Sequence, residues 1–171
     1  MPDGLKLWFW GSDTWISLIS NLATQEAIER RSNLELFLQE AMDGKAQLFI
    51  STVTMVEVVR TESVGLPSAV VPAEIRQRIT DIFEEPYVTL IPLDPARAAE
   101  ARALRWQYPW LRTMDAIELA SAVFARVDMM HTYDGSGNRR GLISLDGLVG
   151  TPPLRIQIPR YTGGRQAPLL Q

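Results

Sequence analysis

Residues 113–134 read Thr-Met-Asp-Ala-Ile-Glu-Leu-Ala-Ser-Ala-Val-Phe-Ala-Arg-Val-Asp-Met-Met-His-Thr-Tyr-Asp, and they decide the fold class. Ala116, Leu119, Ala120, Val123, Phe124 and Val127 recur at helical spacing and line one face, so 113–127 is expected to be a helix. Met129-Met130-His131-Thr132-Tyr133 is too short for a helix and is read as a strand. An acid, Asp134, follows at once. A helix feeding a short buried strand that ends in a carboxylate is one unit of a helix-covered parallel sheet.

The same unit recurs on either side. Upstream, Asp94-Pro95 opens a helix to about Tyr108, with Asp as cap and Pro at the first helical position. Tyr87–Ile91 is a third strand, after a helix over 73–85 stopped by Pro86. Gln47–Ile50 is a second strand, running directly into a helix through Met55 and Val59. A long helix over 24–43 precedes it and ends at Gly44. Leu5–Trp10 is the first strand, with Trp15–Ile19 as helical turns behind it. Downstream, Leu154–Ile158 is a fifth strand closed by Pro159. Residues 61–72, with Gly65, Pro67 and Pro72, are expected to form a loop. The alternation predicts a three-layer α/β/α domain over 1–160, with a mostly parallel sheet of about five strands and a flexible tail over 161–171.

Composition narrows the chemistry. At 171 residues, with 46% hydrophobic and 22% charged residues, the chain suits one globular domain. No cysteine is present, so disulfides, thiolate nucleophiles and Cys-ligated metals are excluded, and a cytoplasmic location is expected. No apolar run is long enough for a membrane span, and Met1–Gly4 does not open like a signal peptide. The single histidine, His131, excludes a multi-histidine metal site; any Ser-His-Asp triad would have to run through it. Within a strand it is expected to be a packed, hydrogen-bonded core residue. The net charge of −3 is uneven: residues 1–134 hold 12 Lys/Arg against 19 Asp/Glu, whereas 135–171 hold five arginines against Asp146 alone. The basic end is where a phosphate contact is expected.

In a doubly wound sheet, ligands bind beyond the carboxyl ends of the strands. Asp13 follows the first strand, Glu57 lies in the helix after the second, and Asp134 follows the fourth. Asp115 lies in the first turn of the helix that leads to the fourth, and Glu118 shares its face. Carboxylates gathered at one edge repel unless a cation neutralises them, and an all-oxygen set suits Mg²⁺ or Mn²⁺. Such an ion binds a phosphate oxygen and activates water for in-line attack. Each acid also has a structural alternative: Asp13 as a helix cap, Glu57 in a capping box with Thr54, Asp115 on the helix dipole behind a Thr113 cap, Asp134-Gly135 as a turn. The tryptophans at 8, 10, 15, 106 and 110 suit core or interface positions.

Four stretches taken together resemble the PIN-domain ribonucleases, in particular the VapC-type toxins of toxin–antitoxin pairs. They are Asp13-Thr14 after the first strand, Ile50-Ser51-Thr52-Val53-Thr54-Met55-Val56-Glu57-Val58-Val59-Arg60, Thr113-Met114-Asp115-Ala116-Ile117-Glu118-Leu119-Ala120-Ser121-Ala122, and Thr132-Tyr133-Asp134. The resemblance runs from about Leu5 to Pro159. It implies a Mg²⁺- or Mn²⁺-dependent endoribonuclease whose acidic set is Asp13, Glu57, Asp115 and Asp134, with Asp13, Asp115 and Asp134 on the metal. It further implies Thr132, and Thr14 beside Asp13, as hydroxyl helpers. An RNA substrate, a cognate antitoxin and a homodimer follow as expected partners. Arg112, Arg139 and Arg140 are candidates to contact flanking phosphates. The chain departs from the family pattern at Gly11-Ser12, where relatives carry bulky apolar residues, and at Glu118, where many carry histidine. A longer loop at 61–72 and the C-terminal tail are further departures. The rival is a non-catalytic PIN-fold module that binds a partner protein or RNA. A haloacid-dehalogenase phosphatase would need an Asp-x-Asp-x-Thr motif, and a receiver domain an acidic pair after the first strand; neither is present.

Overall fold

The structure is a computed structural model and describes residues 4–20, 22–59, 70–137 and 140–162. Five strands, β1 (Lys6–Trp10), β2 (Ala46–Ser51), β3 (Val88–Ile91), β4 (Met129–His131) and β5 (Ile156–Gln157), form one sheet in the order β3-β2-β1-β4-β5. Every pairing is parallel. Six α-helices connect the strands among the described residues: α1 (Ser12–Ile19), α2 (Gln25–Met42), α3 (Thr52–Glu57), α4 (Ala73–Phe83), α5 (Pro95–Gln107) and α6 (Thr113–Ala125).

The pleat of β1 divides the core between the sheet's two faces. Trp8 and Trp10 point one way and pack with residues of α1, α2 and α4. Phe9 points the other way and packs with residues of α5 and α6. The first core is largely aromatic: the Trp10 and Trp15 rings lie 4.8 Å apart, and Trp15 meets Phe83 edge-on at 5.4 Å. Trp10 and Trp15 are fully buried, so truncating either to alanine is expected to cost about 3–5 kcal/mol. Trp106, by contrast, is 72% exposed.

Local signals explain the helix ends. The Thr24 hydroxyl accepts from the Ala27 amide and caps α2. Gly44 follows α2 with φ +71°, the left-handed geometry that suits glycine after a helix. Asp94 caps α5 through the Arg97 amide, with Pro95 at the first helical position.

Some elements are shorter than the sequence pattern suggests. β5 spans two residues rather than Leu154–Ile158, because the Leu154 carbonyl and amide bond Gly147 and Val149 in the preceding turn. α3 stops at Glu57, and a short 3-10 helix, Leu142–Leu145, fills a segment that carried no expectation. Residues 61–69 of the expected loop, Arg139, and 163–171 of the expected tail lie outside the described residues. Tyr161, assigned to the tail, is tied to α2: its amide donates to Asn33 and its hydroxyl to Glu40, while its ring packs on Phe37.

The topology fixes where a ligand belongs. From the central β1 the chain builds outward to β2 and β3, then crosses back to β4 and β5 on the other side. The strand order therefore reverses between β1 and β4, and the crevice beyond their carboxyl ends is the binding position of an open α/β sheet. Trp10 and His131 end those strands and are register partners.

Candidate active site

A cleft of about 170 Å³ opens at that switch point, lined by Ser12, Asp13, Arg30, Arg112, Asp115, Glu118, Thr132, Tyr133, Asp134, Ser136 and Leu142. Four carboxylates singled out in the sequence line it. A larger hollow of about 490 Å³ beside α5 and α6, bordered by Leu93, Trp106 and Ile117, has no acidic side chain in its lining.

Asp13 is the second residue of α1, whose cap is Gly11; it is therefore not the helix cap. Its carboxylate turns across to the end of β4, where Oδ2 accepts from the Thr132 hydroxyl at 2.9 Å and the Tyr133 amide at 2.7 Å. The Thr14 hydroxyl donates to the His131 carbonyl at 3.1 Å and lies 3.3 Å from Asp13 Oδ1. Burial raises the Asp13 pKa, and these hydrogen bonds oppose the rise. Thr132 both donates to Asp13 and accepts from the Asp134 amide at 3.0 Å. Its hydroxyl is thereby committed to placing the two acids.

Asp134 sits in a turn with Gly135, which adopts φ +93°, so the turn dipeptide and the site residue are the same feature. Oδ2 of Asp134 accepts from the Leu142 amide at 2.9 Å. Gly141 is required there for space: a Cβ on it would lie 2.4 Å from the Gly135 nitrogen.

Glu118 is 2% exposed, and its Oε1 accepts from the Ser12 amide at 2.7 Å and the Thr54 hydroxyl at 3.0 Å. Burial, then the charges of Asp13 and Glu57, push its pKa up to about 8. The Thr54–Glu57 capping box is not made: Ser51 caps α3, and the Thr54 hydroxyl serves Glu118 instead. Glu57 ends α3 outside the cleft's lining, and its buried Oε2 has no hydrogen-bond partner. Gly11 makes room for this crowding, since a Cβ there would sit 3.1 Å from both Asp13 Oδ1 and Glu118 Oε2.

Thr113 does not cap α6; it is the first helical residue, and Arg112 occupies the cap position without a capping hydrogen bond. The Arg112 guanidinium instead forks onto Asp115, Nε to Oδ2 at 2.5 Å and Nη2 to Oδ1 at 3.0 Å. The same Nη2 lies 3.6 Å from Asp134 Oδ1. The hydrogen bond to Asp115, with the charges of Asp115, Asp134 and Glu57, raises the Arg112 pKa despite some desolvation.

Some lining residues were not singled out by the sequence, Arg30 and Tyr133 among them. Arg30 sits on α2, a helix with charged residues along most of its length, and nothing in the pattern separates it from its neighbours; its guanidinium covers the Tyr133 ring at 4.3 Å and pairs with Glu26. Tyr133 lies between two motif residues, and its buried hydroxyl has no partner. Arg140 stands away from the cleft, over Trp110 at 4.6 Å. His131 is the expected core residue: its Nδ1 accepts from Trp10 at 3.1 Å, and burial lowers its pKa to about 4.

A model of the PIN domain family matches residues 22–139 of the chain. The chain belongs to the PIN domain family. The match takes in Glu57, Asp115, Thr132 and Asp134; Asp13 precedes it and joins them through the β1–β4 pairing. Among solved structures, a toxin–antitoxin complex from Klebsiella pneumoniae contains a similar chain, with 23% identity and a TM-score of 0.51, over 74% of this chain and 85% of that one. That likeness is one of fold. No curated protein matches. Among the described residues no helix is long and apolar enough to cross a membrane.

The PIN fold raises the question of a divalent cation. The donor chemistry fits one: the acids are all oxygen donors, Glu57 Oε2 is buried without a partner, and burial together with the charges of Asp13 and Glu57 raises the Glu118 pKa to about 8. As the side chains stand, however, no group of three or more His, Cys, Asp or Glu among the described residues is close enough to hold an ion. Asp115 and Asp134 face the Arg112 guanidinium instead.

Proposed function

We propose that this PIN-domain protein is a Mg²⁺- or Mn²⁺-dependent endoribonuclease that hydrolyses RNA phosphodiester bonds, and that it acts as the toxin of a toxin–antitoxin pair. The observation that carries the enzymatic reading is the meeting of Asp13, Asp115, Glu118 and Asp134 in one cleft at the sheet's switch point. Structural caps have no reason to converge there, and two of the four alternatives considered above are not made: Asp13 is no cap, and Thr54 and Glu57 form no capping box. Asp115 does lie in the first turn of α6, though without a Thr113 cap. The solved structure of similar fold comes from a toxin–antitoxin complex, which supports an antitoxin partner here. A homodimer is part of the same reading.

Asp13, Asp115 and Asp134 are the residues that would hold the cation. When bound, it would supply charge neutralisation at a phosphate oxygen and a more acidic water. Thr132 holds Asp13 and the Asp134 turn in place, and Thr14 ties Asp13 to the end of β4. Glu57, with one buried oxygen uncommitted, is the group that orients the attacking water and takes its proton. Glu118 retains a proton near neutral pH, which lowers the charge that the cluster must bear. Stabilising charge on the phosphorane-like transition state is the main catalytic task in phosphoryl transfer.

The test is cleavage of a mixed RNA pool by the purified protein in Mg²⁺, Mn²⁺ and EDTA, beside Asp13→Ala. Cleavage that needs the metal and is lost in the folded variant is expected. A folded, antitoxin-free protein that cleaves no RNA class in either metal would overturn the nuclease reading in favour of a binding module.

A further inference from the structure

The position of Arg112 conflicts with its local backbone. A cation at a helix N-terminus faces the positive end of the macrodipole, and Arg112 gains no capping hydrogen bond there. What holds it is the acidic cleft: both oxygens of Asp115 by a fork of 2.5 and 3.0 Å, and Asp134 at 3.6 Å. Those are two of the three carboxylates assigned above to the divalent cation. The guanidinium therefore occupies the electrostatic role that the cation would take. Its side chain is 60% exposed, so it can swing into solvent without disturbing the core.

We propose that Arg112 is a two-position residue: an internal counter-ion on Asp115 and Asp134 in the metal-free protein, released to hold an RNA phosphate once a divalent cation takes those carboxylates. This rests on the proposed nuclease reading and adds an exchange to it. Guanidinium and a divalent cation compete for the same oxygens, so each weakens the other's hold. The released fork then matches a phosphate as well as it matched the carboxylate. Metal binding and RNA binding become coupled through one side chain, and the metal-free protein holds its arginine away from RNA.

Two measurements test this on the full chain. The first is Mn²⁺ binding to metal-stripped protein, followed by the loss of the free Mn²⁺ resonance, for the wild type, Arg112→Ala and Arg112→Lys. Arg112→Ala is expected to bind Mn²⁺ about tenfold more tightly, and Arg112→Lys, which keeps the charge without the fork, to fall between. Unchanged or weaker binding in Arg112→Ala, or no Mn²⁺ binding by any of the three, overturns the proposal. The second is fluorescence anisotropy of a labelled mixed-sequence single-stranded RNA in EDTA and in Ca²⁺. Arg112→Ala should weaken RNA binding in Ca²⁺ and leave it unchanged in EDTA; equal losses in both overturn the exchange. Arg112→Lys guards against a folding defect in the alanine variant. Tighter Mn²⁺ binding by Arg112→Ala together with an absence of RNA cleavage would break the nuclease reading and leave the competition intact.

Discussion

The starts of α5 and α6 use the same two residue types in opposite order. At α5 the acid comes first: Asp94 caps the helix through the Arg97 amide and also pairs with the Arg97 side chain. The cluster closes on itself, and Arg97 is further buried over the Phe124 ring at 3.6 Å. At α6 the arginine comes first. Arg112 takes the cap position without capping, and Asp115 faces the cleft with Asp134 and Glu118. Each order leaves a three-residue spacing that suits an ion pair. Asp94 and Asp115 each suit the positive end of their helix, Arg112 at the cap position does not, and only the second start places its acid beside other acids. An arginine at the cap position, held by cleft carboxylates instead of a capping bond, marks the functional end.

The largest effect expected from that contrast is at Asp115. Asp115→Asn should lower RNA cleavage by about 10²–10³-fold while circular dichroism and thermal melting remain near wild type. A loss of folding instead would make α6 start like α5. Next comes Gly11→Ala, which sets a methyl 3.1 Å from carboxylate oxygens of both Asp13 and Glu118. Cleavage should fall by roughly tenfold and Tm by a few degrees, since the crowded acids must shift.

The pH dependence of stability sharpens the comparison further. Glu118 titrates near 8 in the folded protein, above its unfolded value of 4.5, so its contribution to stability is full below 4.5 and is lost as pH rises towards 8. His131 titrates near 4, below its unfolded 6.5, so its contribution is lost as pH falls from 6.5 towards 4. The two oppose each other in mild acid; above about pH 6.5 the loss comes from Glu118, and from Asp13 as far as burial has raised its pKa. Metal-free protein should therefore lose Tm between roughly pH 6.5 and 8, and Glu118→Gln should flatten that decline in a melting series. The smallest effect belongs to α5: Asp94→Ala should lower Tm by a few degrees through loss of the cap and leave cleavage unchanged. A cleavage defect there would erase the distinction between the two helix starts.

Much of this was legible in the sequence. The helix spacing of 116–127, the apolar Trp8-Phe9-Trp10 run and the Asp94-Pro95 cap reflect local patterning, and each element stands where that patterning puts it. The meeting of Asp13 and Asp134 followed from strand alternation, because a parallel sheet brings its carboxyl ends to one edge; Asp115 joined them only on the further condition that α6 starts there, and Glu57, expected at the same edge, ends α3 outside the cleft's lining. Arg30 was not legible, since its role depends on how α2 lies against Tyr133, and no periodicity encodes that contact. The two-residue β5 was overextended because its apolar neighbour Leu154 is used in a turn. Arg112 was assigned to phosphate because it lies near Asp115 and arginine suits bidentate phosphate binding; its grip on Asp115 itself depends on side-chain geometry that spacing does not reveal.

The pairing of β1 with β4 has a consequence for biosynthesis. Trp8–Trp10 lie beside Met129–His131, so the first strand of the chain finds its inner neighbour only after more than a hundred further residues have been made. Asp13 has its Thr132 and Tyr133 donors only then. Segments emerging from the ribosome can form helices and join β1 to β2, but the cleft cannot assemble until β4 is released from the exit tunnel. A protein able to cut RNA would thus stay inert beside the ribosome that makes it until β4 has emerged and paired with β1.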